Sequence, residues 1–270
     1  MEILEDPTGQ LTIDEVTSPE LTAAWAPSTE SIPNFGFTSS AYWVRLGLRN
    51  ESPERDWRLL VDQNRLDYVD LYAPSSDGAG TRVVNTGMLR PFSTRDVPDT
   101  DLIFAVPLPQ GEDQTIYLRV KSNSSVFLPL SLWPANRLAE RQESEQLLWG
   151  ILYGILAAMA VYNFFLFLSL HDRAYLYLVG FIAAFSLLSL STDGRGSRYL
   201  WPSHLEARAI ITVLGLGLTM AFLLLFSMAF LQTKTRTPRL HKVLTALLAL
   251  ALAGLFLVPI DHGRVTAMLE

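Results

Sequence analysis

The chain contains no cysteine among its 270 residues. Disulfide bonds, thiolate metal sites and cysteine nucleophiles are therefore excluded. Histidine is also scarce, and all four residues lie in the second half, at positions 171, 204, 241 and 262. The first half therefore has neither a histidine base nor a histidine metal site.

Charge is missing from four long segments of the second half. Residues 147–170, 174–191, 209–231 and 243–260 contain no Asp, Glu, Lys or Arg. About 20 consecutive apolar residues cross a hydrocarbon core of roughly 30 Å. We therefore predict four transmembrane helices with these bounds. The alternative is an unusually apolar soluble bundle, whose buried helices seldom need such lengths.

The remaining charge divides the chain into two parts. Residues 1–146 hold 12 of the 21 basic and 22 of the 27 acidic residues, a formal charge of −10, whereas the rest carries 9 basic and 5 acidic residues. An acidic half of this length suits a solvated domain with its own core. It argues against nucleic acid as a partner, because phosphate binding needs a basic face.

The acidic half shows the period-two alternation of β-strands. In residues 42–48, Tyr42, Val44, Leu46 and Leu48 share one face. Similar runs follow at 57–61, 68–72, 82–84, 102–106, 116–121 and 126–133, separated by segments rich in Pro, Gly, Asn and Ser. Seven or eight short strands predict a β-sandwich or jelly roll over residues 1–137. Residues 138–146 are predicted as a stiff helical junction to a membrane domain at 147–270.

Basic residues set membrane orientation, but here five lie on each predicted side. The loop 232–242 is the densest basic segment, with Lys234, Arg236, Arg239 and Lys242 and no acid. We expect this loop in the cytoplasm, the β-rich domain outside, and Tyr199 and Trp201 at the outer interface.

The first predicted span combines small residues with one amide. Gly150, Gly154 and Ala158 form a four-residue ladder suited to close helix packing. Asn163 lies on roughly the opposite face and is predicted to hydrogen-bond another helix. A ligand or ion path past Asn163 is the alternative.

No catalytic motif is present: there is no phosphate loop, zinc-protease motif or nucleophile elbow. Three acids in 96–101 have no diagnostic calcium spacing. We predict no metal and no cofactor. The polar sheet face is the candidate ligand site, because aromatic rings beside hydrogen-bonding cations suit a sugar. Its predicted ligand-binding residues are Trp43, Arg45, Tyr117, Arg119 and Lys121. The alternative is that they decorate an exposed sheet or pack beneath a loop.

Several runs resemble a known family. The segments YWVRL (42–46), LDYVDLY (66–72) and YLRV (117–120) resemble the second type of extracellular domain of bacterial 7TMR-DISM receptors, seven-helix receptors with diverse intracellular signalling modules. GILYG (150–154), YNFFLF (162–167), DRAYLY (172–177) and YLWP (199–202) resemble the start of their membrane domain. The resemblance covers nearly the whole chain.

The resemblance implies a periplasmic jelly-roll domain of carbohydrate-binding type, followed by an all-α polytopic membrane domain. It also implies a cytoplasmic output, commonly a histidine kinase or diguanylate cyclase. We expect an incomplete seven-helix bundle with its output beyond Glu270, and a secretion signal that is missing upstream of Met1. The chain itself is expected to be no enzyme.

These observations predict a signal receptor in the bacterial inner membrane. Its expected partners are an extracytoplasmic small molecule or glycan and the lipid bilayer, with a homodimer left open. A transporter or channel subunit lined by Asn163 is the alternative function. A membrane-anchored glycan enzyme is disfavoured, because no acid pair or activated nucleophile can be named.

Overall fold

The computed structural model describes residues 1–75, 80–202 and 205–266, with side chains placed except at 205–209 and 256–266. The chain forms two compact units. The first unit comprises residues 1–142 and 198–205, and the second comprises 143–197 and 206–270.

The first unit is built from antiparallel strands. They are β1 (Glu2–Asp6), β2 (Ala26–Pro27), β3 (Asn34–Gly36), β4 (Ala41–Arg49), β5 (Asp56–Val61), β6 (Tyr68–Pro74), β7 (Thr81–Thr86), β8 (Leu102–Pro107), β9 (Asp113–Lys121), β10 (Val126–Phe127) and β11 (Leu130–Pro134). A six-stranded sheet has the order β2-β1-β4-β9-β6-β7, and a three-stranded sheet has the order β11-β5-β8. Strands β10 and β3 form a separate pair.

The main core contains side chains from both larger sheets. Val44 and Leu118 of the six-stranded sheet and Val61 and Phe104 of the three-stranded sheet are fully buried in one apolar cluster. Strict alternation places these residues on inward faces, since successive side chains of a strand point to opposite sides. This arrangement confirms the predicted β-sandwich.

Two details of the strand prediction were wrong. The predicted strand 126–133 is divided at Leu128-Pro129 into β10 and β11, which belong to different sheets. Proline has no backbone N–H for a ladder and commonly ends a strand. Strand β1, which combines three acids with two apolar residues, was not predicted at all, yet it pairs with β4 over its whole length.

The second unit is helical. The α-helices of the described residues, in both units, are α1 (Ile13–Val16), α2 (Ala135–Leu170), α3 (Arg173–Thr192), α4 (Arg195–Tyr199), α5 (Leu205–Phe230), α6 (Thr233–Arg236) and α7 (Pro238–Thr266). Four of them are long and apolar enough to cross a membrane, as predicted, with spans inside α2, α3, α5 and α7. Many large apolar side chains on these helices are exposed, for example Leu147 at 66% and Leu250 at 69%. Lipid is the solvent that suits such surfaces.

Helices α3 and α5 pack closely through small residues. A Cβ added to Gly180 would lie 2.6 Å from Phe222 Cδ1, and one added to Gly215 would lie 3.1 Å from Leu188 Cβ. The hydroxyls of Ser191 and Thr212 hydrogen-bond at 2.6 Å. Small residues and hydroxyl pairs are the usual means by which membrane helices associate.

Candidate functional site

The five predicted ligand-binding residues share the face of the six-stranded sheet that lies opposite the main core. A chain segment covers this face: residues 7–27, here called the N-terminal cover. Trp43 is completely buried in a second apolar cluster with Val16 and Trp25 of the cover. The five side chains therefore lie beneath a segment of the chain, as in the alternative to a ligand site.

Each of the other four residues also meets the cover. The Arg45 guanidinium lies 4.7 Å from the Trp25 ring centroid, and the Tyr117 and Trp25 rings are 6.0 Å apart. Arg119 Nη2 donates to the Gly9 carbonyl at 2.6 Å. A Cβ on Gly9 would lie 2.8 Å from Lys121 Nζ. A ligand can therefore reach Trp43 only if the cover moves.

Asp6 fixes the turn that starts the cover. Its Oδ1 accepts hydrogen bonds from the backbone N–H groups of Thr8 and Gly9, and its Oδ2 accepts one from Leu11 N at 2.9 Å. Burial raises the pKa of Asp6, but the hydrogen bonds from Thr8, Leu11 and Gly9 outweigh it and the pKa lies below its ordinary value. The ionised carboxylate is the form that holds the turn.

Three ion pairs lie under or beside the cover. Asp70, almost fully buried, accepts from Arg119 at 3.2 Å and forms a close ion pair with Arg90. Arg45 Nε bonds Glu2 Oε2 at 2.6 Å, which lowers the pKa of Glu2 and raises that of Arg45. Such pairing offsets the desolvation of buried charge, so it supports a structural role for this network.

A different concavity lies where loops meet at one end of the sandwich. It has a volume of about 420 Å³ and is here called the loop-end cavity. Its lining consists of Phe37, Asp62, Gln63, Asn64, Arg65, Asp101, Ser124, Ser125 and Phe127. Phe37 is 83% exposed and Phe127 is 39% exposed. Two open aromatic rings beside carboxylate, amide and hydroxyl groups are the chemistry expected of a small-molecule site.

Hydrogen bonds hold the two main loops of this cavity together. Gln63 Nε2 donates to the Ser125 carbonyl at 2.8 Å, and Gln63 Oε1 accepts from Phe127 N at 3.2 Å. Asp67 Oδ2 accepts from Asn123 N at 2.8 Å. Because Gln63 and Asp67 are both buried, the loops 62–67 and 122–127 form one connected structure.

A second concavity, of about 470 Å³, lies beside β1 and β3. Its aromatic residues are Phe35 and Tyr42, whose rings stack on each other with centroids 3.8 Å apart. Glu5 Oε1 accepts from Ser40 Oγ at 2.7 Å and from Tyr42 Oη at 3.2 Å. The faces of these two rings and this carboxylate oxygen already contact other groups of the protein. The second concavity therefore offers a ligand fewer open rings and hydrogen-bonding groups than the loop-end cavity does.

The junction contacts the three-stranded sheet. Helix α2 is continuous from Ala135 to Leu170, and its first residues up to Gln142 belong to the first unit. Leu138 is 3% exposed and clusters with Leu60 and Ile103. Arg141 lies 3.7 Å from Asp62 and 5.6 Å from the Trp133 ring centroid. Asp62 therefore belongs both to the loop-end cavity and to the contact surface of α2.

The loop that links α4 to α5 is also part of the first unit. Arg198 Nη1 lies 3.0 Å from Asp99 Oδ2, and Phe92 N donates to the Pro202 carbonyl at 3.2 Å. Trp201, expected at the membrane interface, is only 8% exposed. No sequence pattern predicts this contact, because the ion pair joins residues far apart in the chain.

Two of the three acids in 96–101 serve as ion-pair partners. Asp96 pairs with Arg82, and Asp99 pairs with Arg198. Within residues 1–75, 80–202 and 205–266 no group of three or more His, Asp or Glu side chains could hold a metal ion.

The residues predicted for helix packing lie apart from the observed helix contacts. Gly150, Gly154 and Ala158 are exposed, and a Cβ on either glycine would meet nothing within 4 Å. Asn163 is buried, but its Nδ2 donates to Met159 O at 2.8 Å in its own helix. The packing role of these four residues stays a prediction.

Two family models match the chain. Residues 1–134 match the model described as 7TMR-DISM extracellular 2, and residues 145–269 match the one described as 7TM diverse intracellular signalling. No curated protein matches the chain. Together with the four apolar helices, these matches identify a multi-pass membrane protein whose N-terminal β-rich domain lies outside the cell.

Proposed function

The chain belongs to the 7TMR-DISM receptor family, and on that premise we propose that its β-sandwich senses an extracytoplasmic small molecule or glycan and signals through the helix bundle to a cytoplasmic output module. The architecture is that of a seven-helix receptor with an extracellular sensor domain. The family is one of sensors and receptors, and neither matched model describes an enzyme domain. We further propose that the membrane is the inner membrane of a bacterium. Nucleic acid is not among the proposed partners, whereas a second copy of the chain, forming a homodimer, is one candidate partner.

The observation that supports this proposal is the course of α2. Its start is held on the sensor by buried Leu138 and by Arg141 beside Asp62, and the same helix continues to Leu170 as the first span. A helix without an interruption has a hydrogen bond at every turn and no flexible linker to absorb a displacement. A ligand that binds the sensor more tightly in one of two conformations shifts the population towards that conformation, and α2 is placed to transmit the shift.

The proposal is tested by loosening the start of α2 in the full chain in lipid nanodiscs. Leu138→Ala removes a buried contact and should lower stability locally by about 2–4 kcal/mol. We expect faster amide exchange in 135–142 and a changed exchange pattern in α3 and α4. The matched control is Leu89→Ala, which truncates a leucine that is 38% exposed in the same unit.

Unchanged exchange in α3 and α4, together with a loosened helix start, would contradict signal transmission along α2. A transporter instead predicts solute flux in vesicles that Asn163→Leu abolishes. The bond of Asn163 to Met159 in its own helix gives that alternative no support.

A further inference from the structure

We propose that residues 232–242, here called the basic hairpin, bind the phosphate headgroup of an anionic phospholipid. The basic hairpin joins the span in α5 to the span in α7 and contains the short helix α6. This lipid site goes beyond the proposed receptor function and is independent of it, because it requires only that the apolar helices lie in a bilayer.

The basic hairpin concentrates exposed positive charge. It has no acid and a formal charge of +4 with His241 neutral. Among the described residues, none of its cationic side chains forms an ion pair or donates a hydrogen bond, and all of them are exposed. Their N–H groups are therefore available to an anion from outside the chain. The four cations are Lys234, Arg236, Arg239 and Lys242.

The positions of the two spans place this charge at the membrane surface. The candidate span of α5 ends at Phe230, and that of α7 begins at Pro238. Arg239 and Lys242 lie in the first turns of α7, within about 6 Å of the start of its span at 1.5 Å per residue. The headgroup layer of one leaflet is roughly 5–8 Å thick. The cations of α7 therefore lie at the depth of the lipid phosphates.

Hydrogen bonds organise the basic hairpin before a lipid binds. Gln232 has a left-handed backbone with φ of 48°, and its carbonyl accepts from Thr235 N and Arg236 N, each at 3.0 Å. The fully buried Thr233 hydroxyl lies 3.0 Å from His241 Nδ1, which ties the start of α6 to the first turn of α7. An ordered site loses less conformational entropy on binding than a mobile one.

The spacing of the cations suits a phosphate group. Arg239 and Lys242 are three residues apart in α7, so their side chains are neighbours on one face of the helix. The planar guanidinium of Arg239 has N–H groups for two phosphate oxygens at once, while the ammonium of Lys242 adds a point charge. One phosphate can therefore contact both side chains.

The charge balance favours an anionic lipid over a zwitterionic one. Phosphatidylcholine carries its own cation beside the phosphate, and that cation would be repelled by the four cations of the basic hairpin. Phosphatidylglycerol has no such group. Basic segments beside a span attract anionic lipids with a free energy that grows with each Lys or Arg near the surface.

Exposed apolar side chains beside the cations favour a lipid over a soluble phosphate. Leu240 is 44% exposed and Val243 is 56% exposed, and they follow Arg239 and Lys242 directly in the sequence. A lipid whose phosphate lies on the cations has acyl chains to cover such surfaces. A soluble phosphate has only the polar contacts.

Binding is tested by native mass spectrometry of the full chain in detergent. The probes are phosphatidylglycerol and phosphatidylcholine with identical acyl chains, and soluble glycerol phosphate as the headgroup without chains. Phosphatidylglycerol is expected to bind at least about fivefold more tightly than phosphatidylcholine. Raising the salt from about 50 mM to about 500 mM should reduce this preference, since exposed charges are screened. An equal concentration of glycerol phosphate should not displace the lipid.

The site is located with the double variant Arg239→Gln/Lys242→Gln. It should weaken phosphatidylglycerol binding about five- to thirtyfold, because each cation near an anionic lipid contributes a factor of about five. Lys234→Arg/Lys242→Arg keeps the charge and should bind like the wild type. This second variant separates the loss of charge from a disturbed hairpin.

The matched control removes two cations elsewhere, in Arg137→Gln/Arg173→Gln. Both side chains are exposed, and both have an acid nearby. Arg137 lies 3.6 Å from Glu140, and Arg173 follows Asp172 in the sequence. This control changes the net charge of the chain by the same amount, and lipid binding should change by less than about twofold.

Four results would overturn the lipid site. Equal binding of the two lipids, or phosphatidylglycerol binding that Arg239→Gln/Lys242→Gln leaves intact, refutes it and leaves an acidic protein surface as the partner of the basic hairpin. Displacement by an equal concentration of glycerol phosphate assigns the hairpin to a soluble phosphate. Equal weakening in the matched control shows an effect of net charge alone. The exchange experiment on Leu138→Ala concerns the start of α2, so the receptor function and the lipid site can fail separately.

Discussion

At the scale of single residues, Asp6 stabilises the turn that begins the N-terminal cover. Its carboxylate accepts several hydrogen bonds at the point where the chain turns back over the sheet. The pairs Asp70–Arg119 and Glu2–Arg45 then hold charge beneath and beside the cover. Asp6 therefore holds the first turn of the segment that covers Trp43.

Acid is expected to release the N-terminal cover. The pKa of Asp6 lies below its ordinary value of 3.8, so the stability it contributes is complete above that value and is lost as the pH falls through the lower folded value. Amide exchange in residues 13–25 should therefore accelerate as the pH is lowered below about 4. The exchange is compared after correction for its intrinsic pH dependence.

The variant Asp6→Asn should show the same loosening at neutral pH. It replaces an accepting oxygen by an amide donor and should cost about 1–3 kcal/mol of local stability. Asp14→Asn, which changes an exposed acid in α1, is the control. A cover that exchanges at the wild-type rate in Asp6→Asn would refute this role.

At the scale of elements, α3 and α5 make a close helix contact at Gly180 and Phe222. Gly180→Ala would place a Cβ 2.6 Å from the rigid ring of Phe222, so the helices must separate. We expect a loss of about 1–3 kcal/mol, measured by thermal unfolding in detergent.

Gly154→Ala is the matched control, since no atom of the described residues lies within 4 Å of its added Cβ. Alanine is the better helix former, so this variant should be neutral or slightly more stable. Equal losses in the two variants would show that glycine is needed for a reason other than the contact with Phe222.

Sequence patterns predict elements better than contacts between elements. The alternation at Val44 and Leu118 identified the core face, because period two follows from strand geometry alone. The small residues at 150–158 have the spacing of a helix-packing motif, yet the close contact is made by Gly180 instead. The residues next to these glycines in the sequence do not distinguish the two cases. The N-terminal cover has no period at all, and its position depends on hydrogen bonds to Asp6 and Arg119.

At the scale of the whole molecule, the sensor and its spans are expected to have one orientation. Protease added to intact spheroplasts should degrade residues 1–137 and spare the basic loop 232–242. The reason is that the β-rich domain lies outside, whereas the loop with Lys234, Arg236, Arg239 and Lys242 is predicted to face the cytoplasm. The reverse cleavage pattern would refute the topology.

The fold class could be read from the sequence, but the loop-end cavity could not. Four charge-free segments and an acidic, alternating half sufficed for a sandwich followed by membrane helices. The cavity depends on Phe37, Asp62 and Phe127, which come from three separate parts of the chain. Side chains that meet only through tertiary structure leave no spacing by which to find them.

The segment 198–202, which comprises the end of α4 and the residues after it, has a practical consequence for studies of the isolated sensor. A soluble fragment that stops before the first span lacks Arg198 and Trp201, so Asp99 loses a cation and Phe92 N loses its acceptor. Excision therefore removes a piece of the domain itself. Tethering residues 198–202 back onto such a fragment through a short engineered linker would restore these contacts.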